Sequence, residues 1–246
     1  MRALILALLL AFAPARADSD EDLARSLLDK TDDVHRGSSS QGKMTMHVKT
    51  AHWDRTMEME VWSKGTNESL IRILSPAKDA GTSTLKVDDN IWNYLPKVDR
   101  TMKVPPSMLG GSWMGSHYTN DDLVKESRMS EDYTFKLTSK PSGGQGDYVI
   151  ECLPRPDAVV VWGKLIVTLD GKTQQPKEIT YWSEKGELAR TMQFSDPITR
   201  NNRTFPSHIK LIPADKPDEF TEISYEQIDF DVDLPDATFT LQSLKP

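Results

Sequence analysis

From Ser40 onward, apolar and polar positions alternate. Met44, Met46 and Val48 interleave with Lys43, Thr45, His47 and Lys49; after a break at residues 51–54, Met57, Met59 and Val61 interleave with Thr56, Glu58, Glu60 and Trp62. A period of two sends successive side chains to opposite faces of a strand, so the two runs read as a hairpin with one apolar face carrying four methionines. Strand-like runs continue at residues 70–74, 83–87, 91–95, 133–138, 148–153, 159–169, 177–183, 188–195, 204–212 and 220–230, separated by turns such as Asp170-Gly171 and Lys185-Gly186. Many short strands, tight turns and no alternating helices predict a meandering antiparallel sheet rather than a parallel α/β fold; a sandwich fits the same pattern.

Ahead of the strands, residues 20–35 carry a helical pattern. Ser19 offers an N-cap with Asp22 three residues on, Leu23, Leu27 and Val34 fall near one face, and Gly37 provides a stop. Acidic residues crowd the first turns, where the helix dipole favours them. Further upstream, Arg2 precedes an apolar run at residues 3–13 and the small-residue triplet Ala15-Arg16-Ala17. This is the pattern of a secretory leader cleaved after Ala17. The run is short for a bilayer span and a polar stretch follows it at once, so the expected product is an exported, freely diffusing protein with residues 18–246 as a single domain.

Loss of residues 1–17 removes Arg2 and Arg16 and takes the formal net charge from −7 to −9. An acidic balance opposes nonspecific association with nucleic acid or anionic lipid, although it leaves room for a local basic patch; no nucleic-acid partner is expected and any lipid contact is expected to be apolar. The lone Cys152 closes no internal disulfide and reads as a small buried hydrophobe within the run 148–153.

Residues 105–118 interrupt the alternation with an apolar, glycine-rich stretch lacking any period. Loops run over the surface and are ordinarily polar, so one carrying Met108, Leu109, Trp113 and Met114 is expected to cover an apolar surface or meet a ligand. Its expected target is the face bearing Met44, Met46, Met57 and Met59, whose flexible, polarizable side chains suit a ligand of variable shape and equally suit an ordinary core. As a lid, the stretch is expected to make few core contacts. Thr119 with Asp122 caps a short helix through Leu123. Trp92 and Tyr94 share a strand face, and Arg100 stands just before the lid, placed to hydrogen-bond its carbonyls or a ligand headgroup.

The segments Trp92-Asn93-Tyr94-Leu95-Pro96, Arg100, Met114-Gly115-Ser116-His117-Tyr118 and Asp121-Asp122-Leu123, followed by Lys177-Glu178-Ile179, Tyr181-Trp182, Gly186-Glu187-Leu188 and Thr204-Phe205-Pro206, resemble the LolA-like outer-membrane lipoprotein-sorting family. His117 departs from that family's usual acidic residue. The resemblance implies a mainly β fold: a strongly curved antiparallel sheet forming an incomplete β-barrel, with a short N-terminal helix and a helix and loop lid, enclosing acyl chains in a dry cavity. It implies a periplasmic carrier that moves lipoprotein acyl chains or another lipid toward the outer membrane. Such a carrier needs no cofactor, acts as a monomer, and works between an inner-membrane transporter and an outer-membrane acceptor. The candidate ligand-binding residues are then Met44, Met46, Met57, Met59, Trp92, Tyr94, Arg100, Met108, Leu109, Trp113 and Met114. One scaffold hosts several functions, so a lipid or lipoprotein sensor acting with a membrane partner is the alternative.

Enzymatic signatures fare poorly. Gly110-Gly111-Ser112-Trp113-Met114 begins like a nucleophile elbow but ends in methionine where glycine is needed. His35, His47, His52, His117 and His208 lack the spacing of zinc ligands, and His47 is expected to pair with Glu58 or Glu60 across the first hairpin. No catalytic residue and no metal is expected. A hydrolase acting on envelope lipids is the weakest of the three readings.

Overall fold

A computed structural model describes residues 20–125, 129–158 and 160–245. The expected leader at residues 1–17 and the expected Ser19 cap lie outside the described residues.

The chain opens with helix α1 (Asp20–Arg36) and then runs through β1 (Ser39–Lys49), β2 (Asp54–Lys64), β3 (Glu68–Ser75), β4 (Ser83–Val87), β5 (Asn90–Leu95) and β6 (Arg100–Lys103). Two short helices, α2 (Asn120–Lys125) and α3 (Met129–Asp132), precede β7 (Tyr133–Ser139), β8 (Asp147–Pro154), β9 (Lys164–Asp170), β10 (Pro176–Trp182), β11 (Leu188–Arg200), β12 (Arg203–Pro213) and β13 (Phe220–Phe230). All thirteen strands form one antiparallel sheet in the order β6-β5-β4-β3-β2-β1-β13-β12-β11-β10-β9-β8-β7. The meander is as expected, and the sheet is not closed into a barrel: β6 and β7 are its two edges.

That order has a topological consequence. Two meanders, β1–β6 and β7–β13, are zipped together by the pairing of β1 with β13, from Ser40↔Phe230 to Lys49↔Phe220. Strands β6 and β7 are therefore consecutive in sequence but lie at opposite edges of the sheet. The connection between them, residues 104–132, has to traverse the sheet's full width.

The sheet curls around a shared interior. Met46, Met57 and Ile73 from one meander and Phe135, Ile150, Leu165, Met192 and Leu211 from the other meet in one buried cluster, which also receives Ala24, Leu27 and Leu28 of α1. Burial alternates along the strands that face this interior, as in β9, where Leu165, Val167 and Leu169 are buried between partly exposed neighbours. Cys152 lies in this core fully buried, and burial pushes its thiol up to about 12, which keeps it a neutral packing group. A second, separate cluster on the outer face of β3–β5 packs Leu70, Leu85 and Tyr94, with Trp92 beside them, against Phe239 and Leu244 of the C-terminal segment.

Two glycines are dictated by geometry. Gly37, at φ +63, ends α1 through its N–H to the Asp33 carbonyl, and a Cβ there would come within 2.9 Å of an Asp231 carboxylate oxygen. Gly42 approaches β13 so closely that a Cβ would meet the Gln227 carbonyl at 2.4 Å. Beside it the β1–β13 register slips between Lys43 and Met44, leaving Glu226 as a bulge.

Several boundaries differ from the pattern-based expectation. Strand β6 is an addition: its residues are all exposed, so no alternation marks it, and backbone pairing from Leu95↔Arg100 to Trp92↔Lys103 defines it. Strand β9 begins only at Lys164, because residues 155–158 make a turn and neighbouring pairing reaches no further back than Lys164↔Trp182. Strand β11 continues past Ser195 to Arg200; beyond Gln193 it pairs with β12 alone, and such a free side accommodates Pro197. The stretch expected to lack structure contains a 3-10 turn at Pro106–Met108 and a bridge between Ser112 and Thr119.

Candidate functional site

Residues 104–125 form a strap across the interior face, held strand by strand. The indole N–H of Trp113 donates to Thr84 Oγ1 of β4 at 3.1 Å. Arg55 of β2 donates from Nη2 to the Met114 carbonyl, pairs with Asp79 at 3.3 Å and stacks over Trp53 at 4.7 Å. His117 reaches β13: its backbone N–H donates to Thr221 Oγ1 at 3.0 Å, Nδ1 lies 2.9 Å from the same hydroxyl, and Nε2 lies 3.1 Å from Glu219. The His117 hydrogen bond and then the Ala51 backbone N–H hold the Glu219 carboxyl below its ordinary pKa.

The last anchor is the strongest. Thr119 and Asp122 form the expected cap, the Asp122 carboxylate accepting from the Thr119 N–H at 2.7 Å and from its hydroxyl at 2.9 Å. That carboxylate also takes a two-pronged bond from Arg190 of β11, with Nη1 to Oδ2 at 2.8 Å. The guanidinium lies over Tyr181 at 4.2 Å and Trp162 at 4.6 Å, so aromatic faces line it where water cannot. Burial opposes its charge, but the Asp122 carboxylate outweighs burial and shifts the Arg190 pKa upward.

Beneath the strap, the interior face changes character along each strand. On β1 the interior positions read Ser40, Gly42, Met44, Met46 and Val48; on β2, from the same end, Ser63, Val61, Met59 and Met57; on β3, Ser69, Ile71 and Ile73. The register aligns these into rows. Ser40, Ser63 and Ser69 make a polar row, with Ser40 and Ser63 hydroxyls 2.7 Å apart. Next comes an apolar row containing Val61 and Ile71, and then a closed block of Met46, Met57, Met59 and Ile73, each no more than 2% exposed, in one cluster with Trp113.

A cavity of about 240 Å³ occupies the middle row. Its walls are Met44, Val61 and Ile71 on one side and Val167, Ile179, Phe194 and Ile209 on the other, with Leu28 of α1 and Leu123 of α2 also lining it. At one end stand the three serines and the last turns of α1, with Thr31, Asp32 and Arg36. A smaller cavity of about 50 Å³, beside Trp162 and Met192, shares Met129 and Tyr181 with the larger one as walls.

The eleven candidate residues divide by location. Met44 lines the larger cavity. Met46, Met57 and Met59 belong to the closed block, and Trp113, 4% exposed, is packed with them, Met114 lying against the same cluster. The expectation that this stretch makes few core contacts is therefore corrected: its tryptophan is a core residue held by a buried hydrogen bond. Trp92 and Tyr94 share a face, as expected, but it is the outer face of the sheet, against the C-terminal segment. Arg100 is exposed on β6, Leu109 is half-buried, and Met108 is 61% exposed. The arginine bonded to a strap carbonyl is Arg55, and no pattern in the sequence distinguishes it. His47 pairs with Asp54 at 2.8 Å and Glu222 at 3.7 Å instead of Glu58 or Glu60, because the hairpin register sets it opposite Thr56.

An open, strongly curled antiparallel sheet with an N-terminal helix and a strap across its interior is the LolA-like fold. Solved structures agree. A domain from Vibrio parahaemolyticus described as an outer membrane lipoprotein-sorting protein is 21% identical over 92% of this chain and 100% of its own, with a TM-score of 0.79. A DUF1329 family protein from Desulfovibrio piger is 21% identical over 92% of this chain and 99% of its own (TM-score 0.82), and a LolA superfamily protein from Nitrosomonas europaea is 23% identical over 89% and 98% (TM-score 0.74). At these identities the likeness establishes the fold, and the resemblance read from the sequence is borne out. A protein-family model described as an uncharacterized protein matches residues 65–246, and the chain belongs to that family. A comparison with curated proteins finds no match.

Proposed function

We propose that residues 18–246 act as one periplasmic lipid-carrying domain, which takes a lipoprotein acyl chain or another single-chain lipid segment into the cavity between α1 and the interior face of the sheet and moves it toward the outer membrane. The observation that carries this reading is the polar-to-apolar gradient of the cavity: serines and Arg36 at one end, and aliphatic and aromatic walls within. Among the described residues no helix is long and apolar enough to cross a membrane, and no group of three or more metal-binding side chains occurs. The neighbour described as a lipoprotein-sorting protein and the leader-like start of the chain support the periplasmic assignment.

Size and energy suit a carrier. A volume of about 240 Å³ holds about eight water-sized groups at ~30 Å³ each, enough for one acyl segment and too little for several. Eight buried methylenes at ~0.8 kcal/mol each give roughly 6 kcal/mol before the costs of binding, a moderate affinity that lets cargo leave again. Within this reading Met44 touches the chain, while Met46, Met57, Met59, Trp113 and Met114 belong to the closed block packed beside the cavity. Arg36 and the serine row face the headgroup, and an inner-membrane donor and an outer-membrane acceptor complete the route.

Native mass spectrometry of the mature protein, purified from its own envelope without detergent, tests this. The expected result is a lipid adduct that is lost in Ile71→Trp, which fills the cavity. Protein that is uniformly free of lipid, and stays so after incubation with diacyl phospholipid, would overturn the reading.

A further inference from the structure

We infer that the β5–β6 tip, with the loop that follows it, is a docking surface for a bilayer containing anionic lipid. Every residue from Lys97 to Lys103 is exposed, and so is Met108 just beyond. Among these, Val98 at the turn is 66% and Met102 on β6 38% exposed, and Met108, which follows the other end of β6, is 61% exposed. Lys97 and Arg100 stand beside Val98 and Met102, while Lys103 lies on the other face of β6 over the Trp92 ring at 5.6 Å; among the described residues none of the three forms a salt bridge. The one carboxylate of the tip, Asp99, is already engaged, accepting from the Tyr94 hydroxyl at 3.0 Å and from Lys245 at 2.7 Å. From Arg100 to Asn120 the sequence contains no acidic residue at all.

Cations interleaved with exposed apolar side chains are what an anionic lipid surface selects: the cations meet headgroup phosphates while the apolar groups enter the boundary region. The charge is local. The chain as a whole carries −7, so the tip stands out against an acidic molecule and orients it, tip first, toward a negative surface. The same arrangement disfavours a β-strand partner at this edge, because β6 has only four residues and its charges oppose strand addition. The inference does not depend on what the interior cavity holds.

The test is co-sedimentation of the mature protein with vesicles of phosphatidylethanolamine and phosphatidylglycerol, compared with vesicles of phosphatidylcholine. Binding is expected to the first and not the second, and to fall with added salt. Each cation near such a surface is worth about fivefold in affinity, so Lys97→Gln/Arg100→Gln/Lys103→Gln is expected to lose on the order of 100-fold. A control of equal charge change on exposed lysines elsewhere, Lys136→Gln/Lys172→Gln/Lys185→Gln, is expected to keep binding. Val98→Ser/Met108→Ser is expected to weaken binding by an amount that salt does not change. Equal loss in both sets of variants, equal binding to both vesicles, or no binding to either vesicle each overturns it. Because the readout is vesicle binding, a failure here leaves the lipid content of the cavity, measured by mass, untouched.

Discussion

Two regions of the interior face are built on the same strands and differ in what covers them. The methionine block of Met46, Met57 and Met59 is roofed by Trp113, which descends from the strap and is fixed by the Thr84 hydroxyl. Two residues along each strand, the face carrying Gly42, Met44, Val61 and Ile71 lies beneath α1, and there a cavity remains. Both stretches are apolar and both contain methionine. A flexible, polarizable side chain fills irregular space wherever a rigid partner presses against it, so methionine content marks an adaptable surface and leaves open whether that surface is filled. The cover decides. An indole wedged into the first region completes its packing, whereas Gly42, barred from carrying a side chain by its close approach to β13, leaves the second short of atoms.

Charge placed in the closed region breaks this comparison most severely. Met59→Glu buries a carboxylate with no partner in its cluster and is expected to cost more than about 4 kcal/mol, so that the protein fails to fold cooperatively in a denaturant titration. Tolerance of that change would mean the block is hydrated and the division between closed and open regions is false. Next in size is Trp113→Ala, which removes the roof; truncation of a buried aromatic costs roughly 3–5 kcal/mol, and its hydrogen bond to Thr84 is lost as well. A melting temperature that hardly moves would return Trp113 to the role of a peripheral lid.

The sequence carries the strands far better than it carries the site. Alternation is a local signal, and β1, β7 and β9 are legible because alternate residues along each are buried. Strand β6 escapes because all four of its residues are exposed, and the true start of β9 escapes because strand ends depend on partners distant in sequence. The Thr119–Asp122 cap is local and legible, yet Arg190, which binds the same carboxylate, lies 68 residues away. The apolar, glycine-rich stretch announces contact with an oily surface, and Trp113 makes that contact. Whether it closes a surface or covers a ligand depends on where the strap crosses, which follows from β6 and β7 lying at opposite sheet edges. No window of sequence contains that fact.

A matched pair of substitutions sharpens the comparison at smaller cost. Val48 lies fully buried in the closed region, and Val61 lines the cavity on the neighbouring strand. Adding the same volume to each, Val48→Phe is expected to destabilise by about 1–3 kcal/mol through overpacking, while Val61→Phe is expected to be close to neutral. In turn, Val61→Phe should reduce lipid retention and Val48→Phe should not, which paired urea titrations and native mass spectra would read. Equal destabilisation at both sites would show that the cavity is filled by relaxation of its walls.

The smallest effect expected is of pH on the strap's middle anchor, which stands at the end of the closed block remote from the cavity, where Thr221 pairs with Val48. Glu219 accepts from the Ala51 N–H at 3.0 Å and faces His117 Nε2, and these hydrogen bonds lower its pKa from the ordinary 4.5. A carboxyl depressed in the folded state contributes stability in full above its unfolded pKa, and the contribution is lost as the pH falls through the lower folded value. The strap between Trp113 and Tyr118 is therefore expected to loosen only in acid below about 4.5, and to be insensitive to pH through the neutral range on account of this carboxyl. Fluorine NMR of fluorotryptophan at position 113 reads this directly: the resonance should shift below that pH in the native protein and lose the transition in Glu219→Gln. The same acid transition in the variant would move the cause from Glu219 to another carboxyl, and would place the cover of the closed block under the control of the Asp122–Arg190 anchor instead.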